Sequence, residues 1–229
     1  MGKVKDVRVA GSSWDDIFAR PEMRWGEPDW HVVGLVPMLH GRSVERVLDL
    51  GCGAGRHVVF LAREGFQVVG QDISAVALRL SRIALREAGV TAELVQHDME
   101  EIPFPDDSFD AVISVVAIYH NALEGIKRSM AEVRRVLKPG GLFLVWFLSR
   151  RSYGVGEFEL TAGQEIEPWT VKRGGDAPDA GMPHHFSDEA EVRDVLLSGF
   201  DILVLEESMQ ANRPAHWIAL AIAPAREAG

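Results

Sequence analysis

One cysteine, Cys52, stands among 229 residues, so the chain can form neither an internal disulfide nor a multi-cysteine metal cluster. That scarcity suits a reducing compartment. The first ten residues carry charges throughout and lack the apolar heart of a signal peptide. No stretch approaches the roughly 20 uninterrupted apolar residues that a membrane-spanning helix needs. A cytoplasmic protein without a membrane partner is expected. Basic charge is also scarce: 24 Lys and Arg against 34 Asp and Glu leave a formal net charge of −10. That balance argues against an extended nucleic-acid footprint. Repeats and heptads are absent. What remains, 47% hydrophobic and 25% charged residues, is ordinary globular composition and fits a single domain over 1–229.

The organising stretch is Val47 to His57, VLDLGCGAGRH. Val47, Leu48 and Leu50 around Asp49 read as a buried strand, and Val58, Val59, Leu61 and Ala62 read as a helix. Between them Gly51, Gly53 and Gly55 suggest a turn of unusual dihedrals, in which backbone approaches a nucleotide-like ligand at a helix N-terminus. The alternation then continues. A strand over 67–71 ends at Asp72, and a helix capped by Ser74 carries Val76, Leu80, Ile83 and Ala84 until Gly89. Strands follow at about 91–96 and 109–115. Ile126, Met130, Val133 and Leu137 define a helix stopped by Pro139-Gly140-Gly141, and Leu142 to Leu148 is a continuous buried strand. A last helix, capped by Ser187 or Asp188, precedes strands at 200–205 and 216–223. The expectation is a doubly wound, Rossmann-like α/β fold with a seven-stranded, mostly parallel sheet and one antiparallel strand near the C-terminus.

Two segments stand outside that alternation. Residues 1–45 include Trp14, Trp25 and Trp30 among Asp15, Asp16, Arg20, Glu22, Arg24 and Glu27, followed by an amphipathic helix that contains Pro37. Those aromatics either pack on the core or form a lid over the ligand. Residues 149–185, with the soft run Gly174-Gly175-Asp176-Ala177-Pro178, are too long for a plain connection and read as an insertion capping the acceptor site.

In such a sheet the ligand lies beyond the C-terminal strand ends, beside the first strand. An acid about 20 residues past the glycines, Asp72, suits ribose hydroxyls, which alone would also fit NAD. The G-x-G-x-G spacing followed by Arg56 lacks the pyrophosphate fingerprint and disfavours an NAD-dependent oxidoreductase. Here the chain resembles the class I S-adenosylmethionine-dependent methyltransferases, in particular their small-molecule branch. VLDLGCGAGRH is similar to their first motif and VVGQDIS to the second. QHDMEEIPFPDDSFDAVIS resembles the adenine block, and LKPGGLFLV resembles the motif opening the fifth strand. Together these cover about 45–148.

The resemblance implies S-adenosyl-L-methionine as cofactor, with S-adenosyl-L-homocysteine as product. It implies that Gly51, Gly53 and Gly55, with Cys52 and Ala54 through their backbone, contact the methionine and ribose portions. Asp72 would take the ribose and Ile73 pack on the adenine, while Asp98 would bind the adenine amino group with Met99 alongside. Ser114 and Val115 would lie near the sulfonium, and Asp49 would orient either the loop or the cofactor amine.

Tyr119 and His120 follow the fourth strand, where such enzymes place residues facing the acceptor. His120 is a candidate general base or a pocket-shaping residue, and Tyr119 is a weaker catalytic candidate. His184-His185 has no acidic or cysteine partner at close spacing, so no metal is expected. The Asn/Asp-Pro-Pro-aromatic signature of amino-methylating nucleic-acid enzymes is missing at Ser114-Val115-Val116-Ala117, and the cysteine lies far from the place that cytosine C5 chemistry requires. The partner expected is therefore a small-molecule acceptor, with no nucleic acid, for a monomer or homodimer. A non-catalytic S-adenosylmethionine-binding regulatory or interaction protein is the alternative.

Overall fold

A computed structural model describes residues 13–21, 26–153, 163–174, 179–209 and 214–225. Trp25, Glu22, Arg24 and most of the 174–178 run lie outside the described residues.

Helix α1 (Trp14–Ala19) opens on Ser13, whose hydroxyl accepts from the Asp16 amide while the Asp16 carboxylate takes the Ser13 amide, a reciprocal cap. Helix α2 (Trp30–Gly41) is capped by Asp29 and runs through Pro37 without breaking. Its buried face, Val32, Leu35, Val36 and Leu39, packs on the core and offsets the hydrogen bond that the proline removes. Strand β1 (Arg46–Leu50), α3 (Arg56–Arg63), β2 (Gln67–Asp72), α4 (Ala75–Ala88), β3 (Glu93–Gln96), β4 (Phe109–Ser114), α5 (Leu123–Val136) and β5 (Leu137–Ser149) then alternate as expected. Ser74 caps α4 through the Ala77 amide, and Gly89 ends it in the left-handed region.

Among the described residues ten strands are present rather than seven. Seven form the expected sheet in the order β3-β2-β1-β4-β5-β10-β9, with β9 at Asp201–Ser208 and β10 at His216–Ile222. Strand β10 runs antiparallel to both β5 and β9. The other three arise inside the insertion: β6 (Gln164–Glu167) and β7 (Thr170–Lys172) form a hairpin, and β7 pairs with β8 (Pro183–Ser187). Strand β8 joins the end of β5 at Leu148 and Ser149. These strands are short and lack a two-residue alternation long enough to read. Leu137 was expected on α5 but is extended and pairs with Phe109, so β5 begins five residues before Leu142. After Asp188 the chain makes one helical turn, α6 (Glu189–Glu191), then a wider turn over Val192–Leu196.

Strand β1 divides its side chains between two cores. Leu48 and Leu50 meet α5 residues Ile126, Met130 and Val133 on one face. Val47 meets Val32, Leu39, Val58 and Leu61 on the other. Asp49 has the parity of Val47 and is therefore a carboxylate placed on the α2–α3 side at the end of the central strand. Among the described residues no helix is long and apolar enough to cross a membrane.

Candidate functional site

The glycine turn is tied to the neighbouring strand first. The Gly51 and Cys52 amides both donate to the Gln71 carbonyl, at 2.8 and 3.0 Å. Gly51 has φ +78°, and a Cβ there would stand 2.5 Å from the Ala117 Cβ. Gly55 has φ +88°, with its missing Cβ 2.7 Å from Ser81 Oγ, which itself donates to the Gly53 carbonyl. Two of the three glycines are thus required by the protein's own packing as well as by dihedral angle. The Gly53 face meets the Phe18 ring of α1 at 3.0 Å from its would-be Cβ.

Two buried carboxylates flank this turn. Asp72 closes β2, with Oδ2 accepting the Gly53 amide and Oδ1 the Ser74 amide, each at 2.8 Å. Burial pushes its pKa up to about 6 against those hydrogen bonds. Asp49 is 1% exposed, and its Oδ2 has no hydrogen-bond partner among the described residues. Burial lifts its pKa to about 7, with Arg56 opposing and Asp72 assisting. His57 lies beside it, Nδ1 to Oδ2 at 4.0 Å. Its Nε2 accepts the Asp29 amide at 3.1 Å, so a neutral ring carries its proton on Nδ1, toward Asp49. Burial lowers the His57 pKa to about 3 and keeps it neutral. A buried carboxylate oxygen with no donor suits a cationic amine, and a second carboxylate with lone pairs to spare suits hydroxyls. The residues present therefore fit S-adenosylmethionine.

The remaining cofactor candidates divide. Met99 Cε lies 3.7 Å from the position a Gly51 Cβ would take. Asp98 accepts the Glu100 amide through Oδ1, and its carbonyl takes Gln71 Nε2. Ile73 is 41% exposed at the rim. Ser114 is fully buried and donates its hydroxyl to the Leu50 carbonyl, which pins β4 to β1; Val115 is buried after it. Burial pushes the Cys52 thiol well above its usual range, with Asp72 and Asp49 adding to the shift, which leaves the side chain inert.

Beyond β4 lies a group of imidazoles and aromatic rings. His120 donates through Nδ1 to the Ala117 carbonyl, 3.1 Å away, and Trp14 meets its ring edge-on at 4.9 Å. Burial and the facing His184 hold His120 well below the ordinary imidazole range. The two rings are T-shaped at 4.6 Å. His184 contacts the Met182 carbonyl through Nδ1 and Asp179 Oδ2 through Nε2, both at 3.1 Å. Asp179 also pairs with Arg173 at 2.8 Å; burial opposes its ionisation, but His184 and Arg173 hold its pKa below the usual carboxylate range. The Tyr119 hydroxyl meets His216 Nε2 at 3.3 Å, and the Trp146 ring lies 5.1 Å from His216 and 5.3 Å from His31.

Ala117 joins the two groups, with its Cβ against Gly51 and its carbonyl on His120. Asp179, His216, His31 and His57 carry much of this geometry, yet sequence reasoning did not single them out. His57 had a signal, a histidine one helical step past the glycine loop; the others come from segments with no motif.

Comparison with known proteins agrees with the geometry. Residues 47–141 match the model of a methyltransferase domain. The chain is 37% identical over 142 residues to a sterol 24-C-methyltransferase of Gibberella zeae, covering 59% of this chain and 33% of that one. It is 33% identical over 147 residues to a ubiquinone/menaquinone biosynthesis C-methyltransferase of Cupriavidus taiwanensis, covering 60% and 57%. The chain thus spans a third to somewhat over half the length of these relatives. A crystal structure of a SAM-dependent methyltransferase from Methanosarcina mazei superposes with a TM-score of 0.68 at 25% identity, covering 83% of this chain and 98% of that one.

Proposed function

We propose that this chain, whose residues 47–141 match a methyltransferase domain, is a class I S-adenosylmethionine-dependent methyltransferase that transfers a methyl group to a small-molecule acceptor. One observation carries the reading. The glycine turn, with Asp49 and Asp72 buried beside it, lies at the sheet's switch point between β1 and β4, against the segment that bears His120. The two relatives described above are named for sterol and for quinone biosynthesis, both small organic acceptors, which supports that class.

S-adenosylmethionine, when bound, supplies a sulfonium-activated methyl group for in-line displacement. The chain's own part is to bind, align and exclude water. The Gly51–Gly55 turn, Asp49, Asp72, Ile73, Asp98 and Met99 would hold the cofactor. Ser114 acts through the strand it pins, and Val115 through packing. Helix α1 would act as the lid, with Phe18 on Gly53 and Trp14 on His120, and the described parts of 149–185 as the acceptor cap. With Nδ1 at the Ala117 carbonyl, His120 Nε2 is left to take a proton from a hydroxyl, phenol or thiol acceptor. Tyr119 is turned to His216 and shapes the same pocket.

Thermal unfolding with S-adenosylmethionine, S-adenosylhomocysteine and NAD tests the binding half. The first two should stabilise the fold, by about 2.7 kcal/mol at 100 times Kd; stabilisation by NAD alone overturns the reading. A labelled-methyl screen of a metabolite library tests turnover, and binding without transfer to any acceptor would assign the chain to regulation instead. Asp72→Ala should weaken cofactor affinity, and unchanged affinity would reject the ribose assignment. His120→Ala should slow transfer to a proton-bearing acceptor by about 10²–10⁴-fold; an unchanged rate would leave the residue a shaping role only.

A further inference from the structure

Every histidine in the group beyond β4 is buried or half-buried, but their nitrogens are not used alike. His185 has both ring nitrogens engaged by side chains, Nδ1 with Thr170 Oγ1 at 2.7 Å and Nε2 with Glu191 Oε2 at 3.2 Å. His184, its chain neighbour, and His120 differ. Each places Nδ1 3.1 Å from a backbone carbonyl, Met182 for one and Ala117 for the other. A carbonyl can only accept, so in both rings Nδ1 carries the proton and a neutral ring presents a lone pair at Nε2. This is the arrangement by which proteins orient metal-binding imidazoles, with the far nitrogen donating to a carbonyl.

The two Nε2 ends converge with a carboxylate. His120, Asp179 and His184 each offer one ligand atom, and the three atoms lie within 4.8 Å of one another. Asp179 Oδ2 stands 3.1 Å from His184 Nε2 and also accepts from Arg173 Nη1 at 3.0 Å, while the same guanidinium nitrogen lies 2.8 Å from Oδ1, so that Arg173 fixes the rotation of the carboxylate. A carboxylate facing a nitrogen lone pair is repulsive unless positive charge lies between them. A proton supplies that charge at one nitrogen; a cation supplies it at all three atoms together. Closing the set to metal–nitrogen bonds of about 2.0–2.1 Å needs side-chain shifts of about 1 Å or less.

We propose that His120, Asp179 and His184 form a binding site for one borderline divalent cation of the zinc or ferrous type. Two imidazoles and one carboxylate exclude the all-oxygen preference of magnesium and calcium, and three ligands leave a coordination position open. The ligands come from the turn after β4 and from the insertion on either side of β8's start, so the ion would clamp the insertion onto the core sheet. The inference rests on the proposed function only for its place beside the acceptor. A bound ion occupies His120 Nε2 in place of a proton, and an acceptor oxygen would then be activated on the ion.

The test reads the ion rather than turnover. Full-length protein, stripped with chelator and dialysed, is titrated with Zn²⁺ by calorimetry and with Co²⁺ by visible absorption, in parallel with S-adenosylmethionine. The expected result is one ion per chain, cobalt bands characteristic of a four- or five-coordinate nitrogen–oxygen site, and a higher unfolding temperature with zinc. Asp179→Asn, His184→Gln and His120→Gln should each weaken zinc binding by roughly 100-fold or more, since outer-shell changes alone cost about 10–100-fold. His185→Gln should bind as wild type does. His120 is the least buried of the three, so its variant stays folded should the other two not. Failure to reach one ion per chain, or affinity unchanged in His120→Gln, overturns the proposal and assigns the cluster to an ion pair. Intact S-adenosylmethionine binding in that outcome leaves the proposed function standing.

Discussion

The glycine turn and the histidine group abut at Ala117 but are built in opposite ways. The turn is local: Asp49, Gly51–Gly55, His57 and Asp72 fall within one strand–turn–helix–strand unit, and its bonds run between neighbouring elements. The histidine group collects Trp14, His31, His120, Asp179, His184 and His216 from across the whole chain. Function that depends on backbone shape is encoded nearby in sequence, whereas function that depends on converging side chains is assembled by long-range packing. The turn is therefore expected to respond to substitution mainly through stability and cofactor affinity, and the histidine group mainly through the acceptor.

The largest expected effect is Gly51→Ala. Its Cβ would enter at 2.5 Å from Ala117 in a left-handed conformation. A cost of about 2–5 kcal/mol follows from strain and overpacking together, read as a fall in unfolding temperature with loss of cofactor binding. A variant as stable as wild type would show that the two groups are not rigidly joined.

Next is the pH response of Asp49. Its folded pKa, about 7, lies above the ordinary value of 3.8, so the folded state holds a proton that the unfolded state has released. Stability contributed at low pH is lost as pH rises from about 4 to about 7. A cationic ligand beside Asp49 reverses the preference by favouring the ionised form. Affinity for S-adenosylmethionine should fall by up to about tenfold per pH unit below 7, and Asp49→Asn should flatten that profile. Isothermal calorimetry across pH 5.5–8 checks it.

His216→Phe removes the partner of the Tyr119 hydroxyl while keeping an aromatic ring. One neutral hydrogen bond is worth about 0.5–1.5 kcal/mol. The acceptor KM should therefore rise by roughly 2–10-fold, with cofactor Kd unchanged. A change in cofactor Kd of the same size would erase the distinction between the two groups.

A smaller loss of stability than at Gly51 is expected for Gly65→Ala. Gly65 has φ +93° but nothing within 4 Å of its would-be Cβ. Strain alone remains, about 1–2 kcal/mol, and comparison with Gly51→Ala isolates the packing cost.

Periodicity and punctuation in the chain determined much of this molecule. The β1-to-β5 alternation, the Ser74 cap, the Gly89 stop and the antiparallel final strand were all legible, because each depends on residues a few positions apart. The glycine turn and its two acids were legible for the same reason. Only the tertiary structure decided that Gly55 is glycine for the sake of Ser81, that Ser114 is spent on Leu50, and that Leu137 begins a strand. It alone made strands of the insertion and set Asp179 against His184 and His216 against Tyr119. The reason is physical. A turn or a cap is stabilised by contacts within its own few residues, so its sequence must state it. A contact across 60 or 100 residues depends on where the packed sheet and its insertion bring two segments together, and neither segment carries a mark of the other.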